Sequence, residues 1–195
     1  MPGKVQPFFT QFTRESLTFT PSEKKSRRLS EMTDIFADGR AYADLMAAGD
    51  RVVYDMLNAA VPEEDGHLLH SVTIIHPGSV GKEFFMTAGH FHLDRLAPEV
   101  YSCLAGRGAL LVMDREGDCS FIPMTDGTVA YIPPGWAHRT VNTGTEPFAF
   151  LAVWPAGAGH DYGTIKETGF SRLVLDDGGG NTKVVDNPNF RSISA

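Results

Sequence analysis

From Val52 onward, apolar and polar positions alternate in short runs broken by turn-forming residues, and this pattern dominates the chain. The runs are 52–59, 68–76, 83–87, 99–105, 109–114, 120–124, 128–132, 138–142 and 148–154, with a further one at 183–186. Between them fall Pro62-Glu63-Glu64-Asp65-Gly66, Pro77-Gly78, Gly106-Arg107-Gly108, Arg115-Glu116-Gly117, Asp126-Gly127, Pro133-Pro134-Gly135, Asn142-Thr143-Gly144 and Asp177-Gly178-Gly179-Gly180. Successive side chains of a strand face opposite ways. Many short strands with regular turns therefore predict an all-β barrel or jelly roll. No repeat of fixed period is visible.

The N-terminal part reads differently. Residues 1–28 end in the polar run 21–28 and predict an extended arm. Phe8, Phe9, Phe12, Leu17 and Phe19 are too apolar for a free tail, so the arm must pack on something, and a dimer partner would serve. Ser30 can cap a short helix through Ile35-Phe36, broken at Asp38-Gly39. A second helix, 40–48, is rich in Ala, Leu and Met and stops at Gly49. Ile35, Phe36, Tyr42, Leu45 and Met46 would form the inner face of this unit. The expected organisation is one domain: an arm and helical segment over 1–50, packed on a barrel with a C-terminal extension over 51–195.

Composition narrows the functional classes. At 195 residues and 42% hydrophobic, the chain can bury a substantial single core. A net charge of −7, with no basic cluster beyond Lys24-Lys25 and Arg27-Arg28, argues against nucleic acid as a partner. The first twenty residues lack a basic-then-apolar signal pattern, and no apolar run has membrane-spanning length. Only Cys103 and Cys119 are present, which argues against a disulfide scaffold and for a cytoplasmic protein with reduced thiols.

The candidate chemistry lies in Gly89-His90-Phe91-His92, Glu99 and His138. His90 and His92, two residues apart, would point to the same side of a strand. Glu99 opens the next strand beyond the loop 94–98, and His138 follows the turn Pro133-Pro134-Gly135-Trp136-Ala137. Three imidazoles and one carboxylate suit a divalent first-row metal and leave open positions for substrate oxygens. A lone His in a strand is usually only a satisfied polar group, and the weight rests on the joint pattern.

Gly127, Pro133, Gly135, His138 and Asn142 stand at the spacings of the second cupin motif. Gly89-His90-Phe91-His92, Glu99 and Gly106 match the first, except that six residues separate His92 from Glu99 where three or four are common. In that longer gap the chain resembles the cupin-type phosphoglucose isomerases. The resemblance continues through Arg27-Arg28-Leu29-Ser30, Val80-Gly81-Lys82-Glu83-Phe84-Phe85, Glu99-Val100-Tyr101, Trp136-Ala137-His138-Arg139, Gly159-His160-Asp161-Tyr162-Gly163 and Val184-Val185-Asp186-Asn187-Pro188. It covers roughly residues 24–190.

This resemblance implies a cupin jelly-roll barrel, a homodimer, and interconversion of glucose 6-phosphate and fructose 6-phosphate. His90, His92, Glu99 and His138 would hold one divalent metal per subunit, often iron, with Mn, Zn or Ni also compatible. Thr73, Thr87 and Gly89 match phosphate-side positions, with Tyr162 a further candidate, and Tyr54, Tyr101, His160 and Tyr162 match positions lining the sugar site. His160 could assist ring opening. Hydrogen could move between C1 and C2 through a cis-enediol, with Glu99 shuttling the proton, or as a metal-assisted hydride shift with Glu99 only a ligand.

Plain structural roles compete for several of these residues. Tyr101 and Cys103 follow Glu99 at period two and could simply fill the barrel; Thr73 and Thr87 could be ordinary strand threonines. His67, His70 and His76 match no motif and read as surface or structural residues, and Trp136 and Trp154 as packing at the barrel end. At the level of function, the ligand set alone also fits a non-haem iron dioxygenase or a non-catalytic sugar-phosphate-binding cupin.

Overall fold

In a computed structural model, residues 5–178 and 181–193 are described. Met1 to Lys4 of the arm and Gly179-Gly180 of the expected C-terminal turn lie outside them. The strands are β1 (Gln11–Thr13), β2 (Thr18–Thr20), β3 (Glu23–Arg28), β4 (Val52–Asn58), β5 (Leu68–Ile75), β6 (Ser79–Val80) and β7 (Glu83–Phe84). They continue with β8 (Glu99–Ala105), β9 (Gly108–Met113), β10 (Cys119–Met124), β11 (Val129–Ile132), β12 (Ala137–Asn142), β13 (Phe148–Pro155), β14 (Arg172–Asp176) and β15 (Thr182–Asp186).

Every pairing is antiparallel. One wall of the barrel is a six-stranded sheet ordered β11-β8-β13-β5-β4-β3. Facing it, β10-β9-β12 forms the second wall, extended by single bridges from Met86 to Val141 and from His90 to His138. A four-stranded sheet, β15-β14-β7-β6, and the β1-β2 hairpin complete the set. This is the jelly-roll barrel expected from the alternation.

The alternation also sets which residues face inward. Along β8, Glu99, Tyr101, Cys103 and Ala105 are buried while Val100, Ser102 and Leu104 are only partly covered. Along β9 and β12 every residue is buried, because a second layer of chain covers their outer face. The interior is filled by Leu110, Val112, Met124, Phe148 and Phe150 among others.

The arm is more structured than an extended strap. Its β3 joins the main sheet beside β4, so a chain boundary near residue 50 runs between two hydrogen-bonded strands. The β1-β2 hairpin folds back over the outer face of the same sheet. There Phe19, with Phe12 and Leu17, packs on Leu57, Val72, Ile74, Ala105 and Ala149. His70 ties this hairpin down, 3.1 Å from Thr10 Oγ1 and edge-on to Phe19. His76 pairs with Asp55 at 3.0 Å. Both histidines are structural.

The helical segment is shorter at its start than the sequence suggests. A 3₁₀ turn, Leu29–Met32, replaces the expected helix through Phe36, and Asp34 at φ +66° ends it. Glu31 caps that turn by accepting from the Arg28 backbone N–H, which leaves Ser30 as its second residue. Helix α1 (Gly39–Ala47) is capped by Asp38, whose carboxylate accepts from Ala41 N–H at 2.9 Å. Helix α2 (Tyr162–Thr168) is capped in the same way by Asp161. Neither is long and apolar enough to cross a membrane.

Candidate metal centre

The strand expected over 83–87 stops at Phe84, and Gly89-His90-Phe91-His92 is not in a regular strand. Gly89 sits at φ +77°, a left-handed backbone that favours glycine, and an added Cβ would also run into Phe170 and Arg139. Arg139 is buried and donates from Nη2 to Ala88 O at 2.7 Å, with its guanidinium carbon 4.6 Å above the Phe170 ring. Burial lowers its pKa to about 10, so it stays charged at neutral pH.

Beyond Gly89, alternate residues bond to opposite neighbours. His90 exchanges backbone hydrogen bonds with His138 at 3.3 and 3.0 Å, and Phe91 exchanges them with Asp161 at 3.3 and 2.8 Å. Phe91 therefore turns outward, under the guanidinium of Arg115. His90 and His92 turn inward together, as their spacing predicts.

One ligand atom each from His90, His92, Glu99 and His138 falls within 4.8 Å of all the others. Glu99 Oε2 lies 3.1 Å from His92 Nε2 and 2.9 Å from His138 Nε2. His92 Nδ1 is 2.9 Å from Ala97 O, a contact that puts the proton on Nδ1 and frees Nε2 to coordinate. His90 Nε2 and His138 Nε2 are buried with no aligned hydrogen-bond partner. Orphaned imidazole nitrogens converging on a carboxylate are what a cation would satisfy. The donor set fits a divalent metal.

Charge follows from the same crowding. Burial, followed by the neighbouring imidazoles, pushes the His90 pKa well below the usual histidine range. Burial would raise the Glu99 carboxyl, but His138 and His92 outweigh it and hold the group down at about 2. Three neutral imidazoles and one carboxylate are the coordinating forms.

A cavity of about 130 Å³ opens on this cluster. Tyr54, Thr73, Thr87, Gly89, Tyr101, His160 and Tyr162 all line it, together with His90, Glu99 and His138. His160 and Tyr162 form the rim: their rings stack at 5.8 Å, and His160 stands 4.5 Å from His90. Both rim side chains reach solvent, yet the packed rings desolvate the imidazole enough to lower its pKa. Burial raises the pKa of Tyr54 to about 12 and takes Tyr101 higher than its usual value as well. Both phenols are therefore protonated.

Cys103 lies inward but away from the cavity, as filling. Trp136 packs on the core, whereas Trp154 is not merely end packing. It lines the cavity 6.1 Å from His160. Period-two alternation along β13, through Phe150 and Ala152, points to it. Met56, Asn58 and Ser71 also line the cavity, and nothing in the sequence separates them from ordinary strand residues.

The family model described as glucose-6-phosphate isomerase matches residues 26–191. The chain belongs to that family. Among relatives named glucose-6-phosphate isomerase, that of Pyrococcus horikoshii is 48% identical over 187 residues, 96% of this chain and 98% of its own. That of Pyrococcus abyssi is 50% identical over 173 residues, 88% of this chain and 91% of its own. The Thermococcus kodakarensis protein is 49% identical over 170 residues, covering 87% and 89%. Part of the chain also superposes on Bacillus subtilis oxalate decarboxylase at 20% identity and a TM-score of 0.42, covering 52% of this chain and 26% of that one. In this glucose-6-phosphate isomerase family member, the cluster and the cavity share His90, Glu99 and His138.

Proposed function

We propose that the chain interconverts glucose 6-phosphate and fructose 6-phosphate, with one divalent metal held by His90, His92, Glu99 and His138. The observation that carries this reading is a single cavity lined both by three members of that cluster, His90, Glu99 and His138, and by hydroxyl donors. A bound metal would act as Lewis acid and template for the two sugar oxygens at C1 and C2. Iron(II) is the proposed ion, and Mn, Zn or Ni fit the same donors.

The remaining work falls to side chains. Thr73, Thr87 and the Gly89 backbone N–H, with Tyr54, supply neutral donors for the phosphate. Tyr101 supports the sugar from β8. His160, at the rim, is placed to take or give the proton when the ring opens, and Tyr162 stacks against it. Glu99 is the sole carboxylate among the described residues lining the cavity. If a proton moves between C1 and C2, Glu99 is the group positioned to carry it; in a hydride shift it serves only as a ligand.

A cytoplasmic homodimer, with the arm belonging to the barrel as one unit, completes the proposal. Light scattering that returned a monomer would remove the dimer. The central test is chelation followed by metal add-back, with glucose 6-phosphate as substrate and oxygen excluded. Activity should vanish on chelation and return with a divalent ion. No fructose 6-phosphate with any of the four metals would defeat the isomerase reading, and binding without turnover would favour a sugar-phosphate-binding protein. Product formed only with oxygen would favour a dioxygenase.

A further inference from the structure

Among the described residues, the cavity is lined by no lysine or arginine. A phosphate dianion must nevertheless be preferred there over a neutral hydroxyl. Positive charge close behind a cavity-lining donor would meet that need.

Arg27 stands directly opposite Tyr54 across the β3-β4 pair. Cross-strand partners hold their Cβ atoms about 4.5–5.5 Å apart. The register shifts between Arg27 and Arg28, a bulge that re-aims the strand at this point. Tyr54 is buried and lines the inner cavity, while Arg27 lines the hollows outside it, one of them shared with Tyr54, Gly89 and Tyr162. The arm thus carries a guanidinium to the back of a substrate-facing phenol.

Hydrogen-bond inventory then restricts what Tyr54 can do. Guanidinium and backbone N–H groups only donate, whereas a phenol has one proton to give and lone pairs that accept. Arg27 and Ala88 border the same hollow as Tyr54, and both the guanidinium and the Ala88 N–H oppose the upward push of burial on the phenol. With these donor groups on that side of the ring, the hydroxyl proton is what Tyr54 has to offer toward the cavity. We propose that Arg27 is a positioning residue, which commits Tyr54 to donate into the cavity and so selects a phosphorylated sugar over its unphosphorylated counterpart.

This inference rests on the isomerase reading for the identity of the sugar, but not for the anion. Burial keeps the Tyr54 proton in place at neutral pH. Glu31, 2.8 Å from Arg27 Nη1, engages one of five donors, and an exposed pair of this kind is weak in water. The guanidinium therefore retains donors and charge for Tyr54.

A double-mutant cycle of Arg27→Gln and Tyr54→Phe tests the coupling. Two quantities are read: the Kd for inorganic phosphate by calorimetry, and KM against kcat with glucose 6-phosphate. R27Q is expected to raise both Kd and KM by about tenfold, the scale of one charge-assisted hydrogen bond, with kcat changed by less than about twofold. In the Y54F background the same change should cost less than about twofold. Equal losses in both backgrounds, or no loss in the wild-type background, would overturn the proposal. If R27Q does not fold, Arg27→Lys, which lacks the planar fork, takes its place in the cycle with the same criteria. Failure of the wild-type chain to isomerise would remove the enzyme reading alone, because phosphate calorimetry still reads the Arg27–Tyr54 coupling.

Discussion

Gly89→Ala separates the two reasons a glycine is needed beside the candidate metal ligands. The φ of +77° is left-handed, which costs an L-residue about 1–2 kcal/mol. An added Cβ would also lie 2.8 Å from Phe170 Cε2, 3.2 Å from Arg139 Cβ and 3.2 Å from Arg139 Nε. Neither neighbour can yield freely: Phe170 is fully buried, and Arg139 is held by the Ala88 carbonyl. Overpacking of this kind costs about 1–3 kcal/mol. The sum, about 2–5 kcal/mol, corresponds to a fall in Tm of about 5–20 °C for a chain of this size. Two controls isolate the terms. Gly127, at φ +83° with nothing within 4 Å of its Cβ position, should show only the backbone term when changed to Ala. Gly39, the first residue of α1, has open space and no left-handed φ, so its change to Ala should stabilise by about 0.4–1 kcal/mol. Melting is measured with chelator present, so that metal binding adds nothing to the native state. G89A melting level with G127A would refute the crowding argument, and G89A within about 1 kcal/mol of wild type would refute both terms.

Three further expectations can be checked on the same preparation. Without metal, stability should fall with acid in two windows. His90, held below its ordinary pKa of 6.5, contributes stability that is present above that value and lost beneath it, partly offset by His92, which is held above it; Glu99 contributes stability lost between 4.5 and about 2. A melting curve flat from pH 7 to pH 3 would contradict this, and Glu99→Gln should abolish the lower window. Asp161→Ala removes the α2 cap, whose carboxylate accepts from Thr164 N–H at 3.1 Å and its hydroxyl at 2.6 Å. It should cost about 0.5–2 kcal/mol and also weaken metal affinity, read by chelator competition; unchanged affinity would mean that the cap and the ligands are independent. Phe19→Ala empties the centre of the arm's contact with the sheet and should cost about 3–5 kcal/mol, with faster proteolysis of the first twenty residues; an unaltered cleavage rate would show that the hairpin is held elsewhere.

The barrel was legible because its physics is local. Alternation along β8 assigns Glu99, Tyr101 and Cys103 to one face, and the turn residues delimit most of the expected strands to within one position, although the run 83–87 stops at Phe84 and β14 left no such pattern. The convergence of His90, His92, Glu99 and His138 was legible because chemistry restricts which side chains can share a metal. What could not be read is tertiary. The hairpin β1-β2 has three-residue strands that acquire meaning only against Val72 and Ile74. Arg27 gains its interest from a cross-strand register that no local pattern encodes. Helix α2 left a faint signal, an Asp161-x-x-Thr164 cap and Gly169 at its end, in a stretch too short for periodicity to speak.

The segment 89–92 carries the deeper lesson about how this site is held. Same-side projection of His90 and His92 follows from strand-like geometry, but no strand runs there to maintain it. His90 is held by the backbone of His138, itself a candidate ligand, and Phe91 by the backbone of Asp161, which lies between His160 and Tyr162. Two candidate ligands are therefore locked to each other through one bridge, and the substrate-side rim is locked to the residue between His90 and His92 through the next. A displacement at either bridge must move both the imidazole cluster and the rim, because they share a four-residue span with no independent ladder. The spacing of the ligands is thus a property of the surrounding elements, β12 on one side and the cap of α2 on the other. This is why the residues whose change should disturb the centre most informatively, Gly89 and Asp161, include none of the ligands themselves.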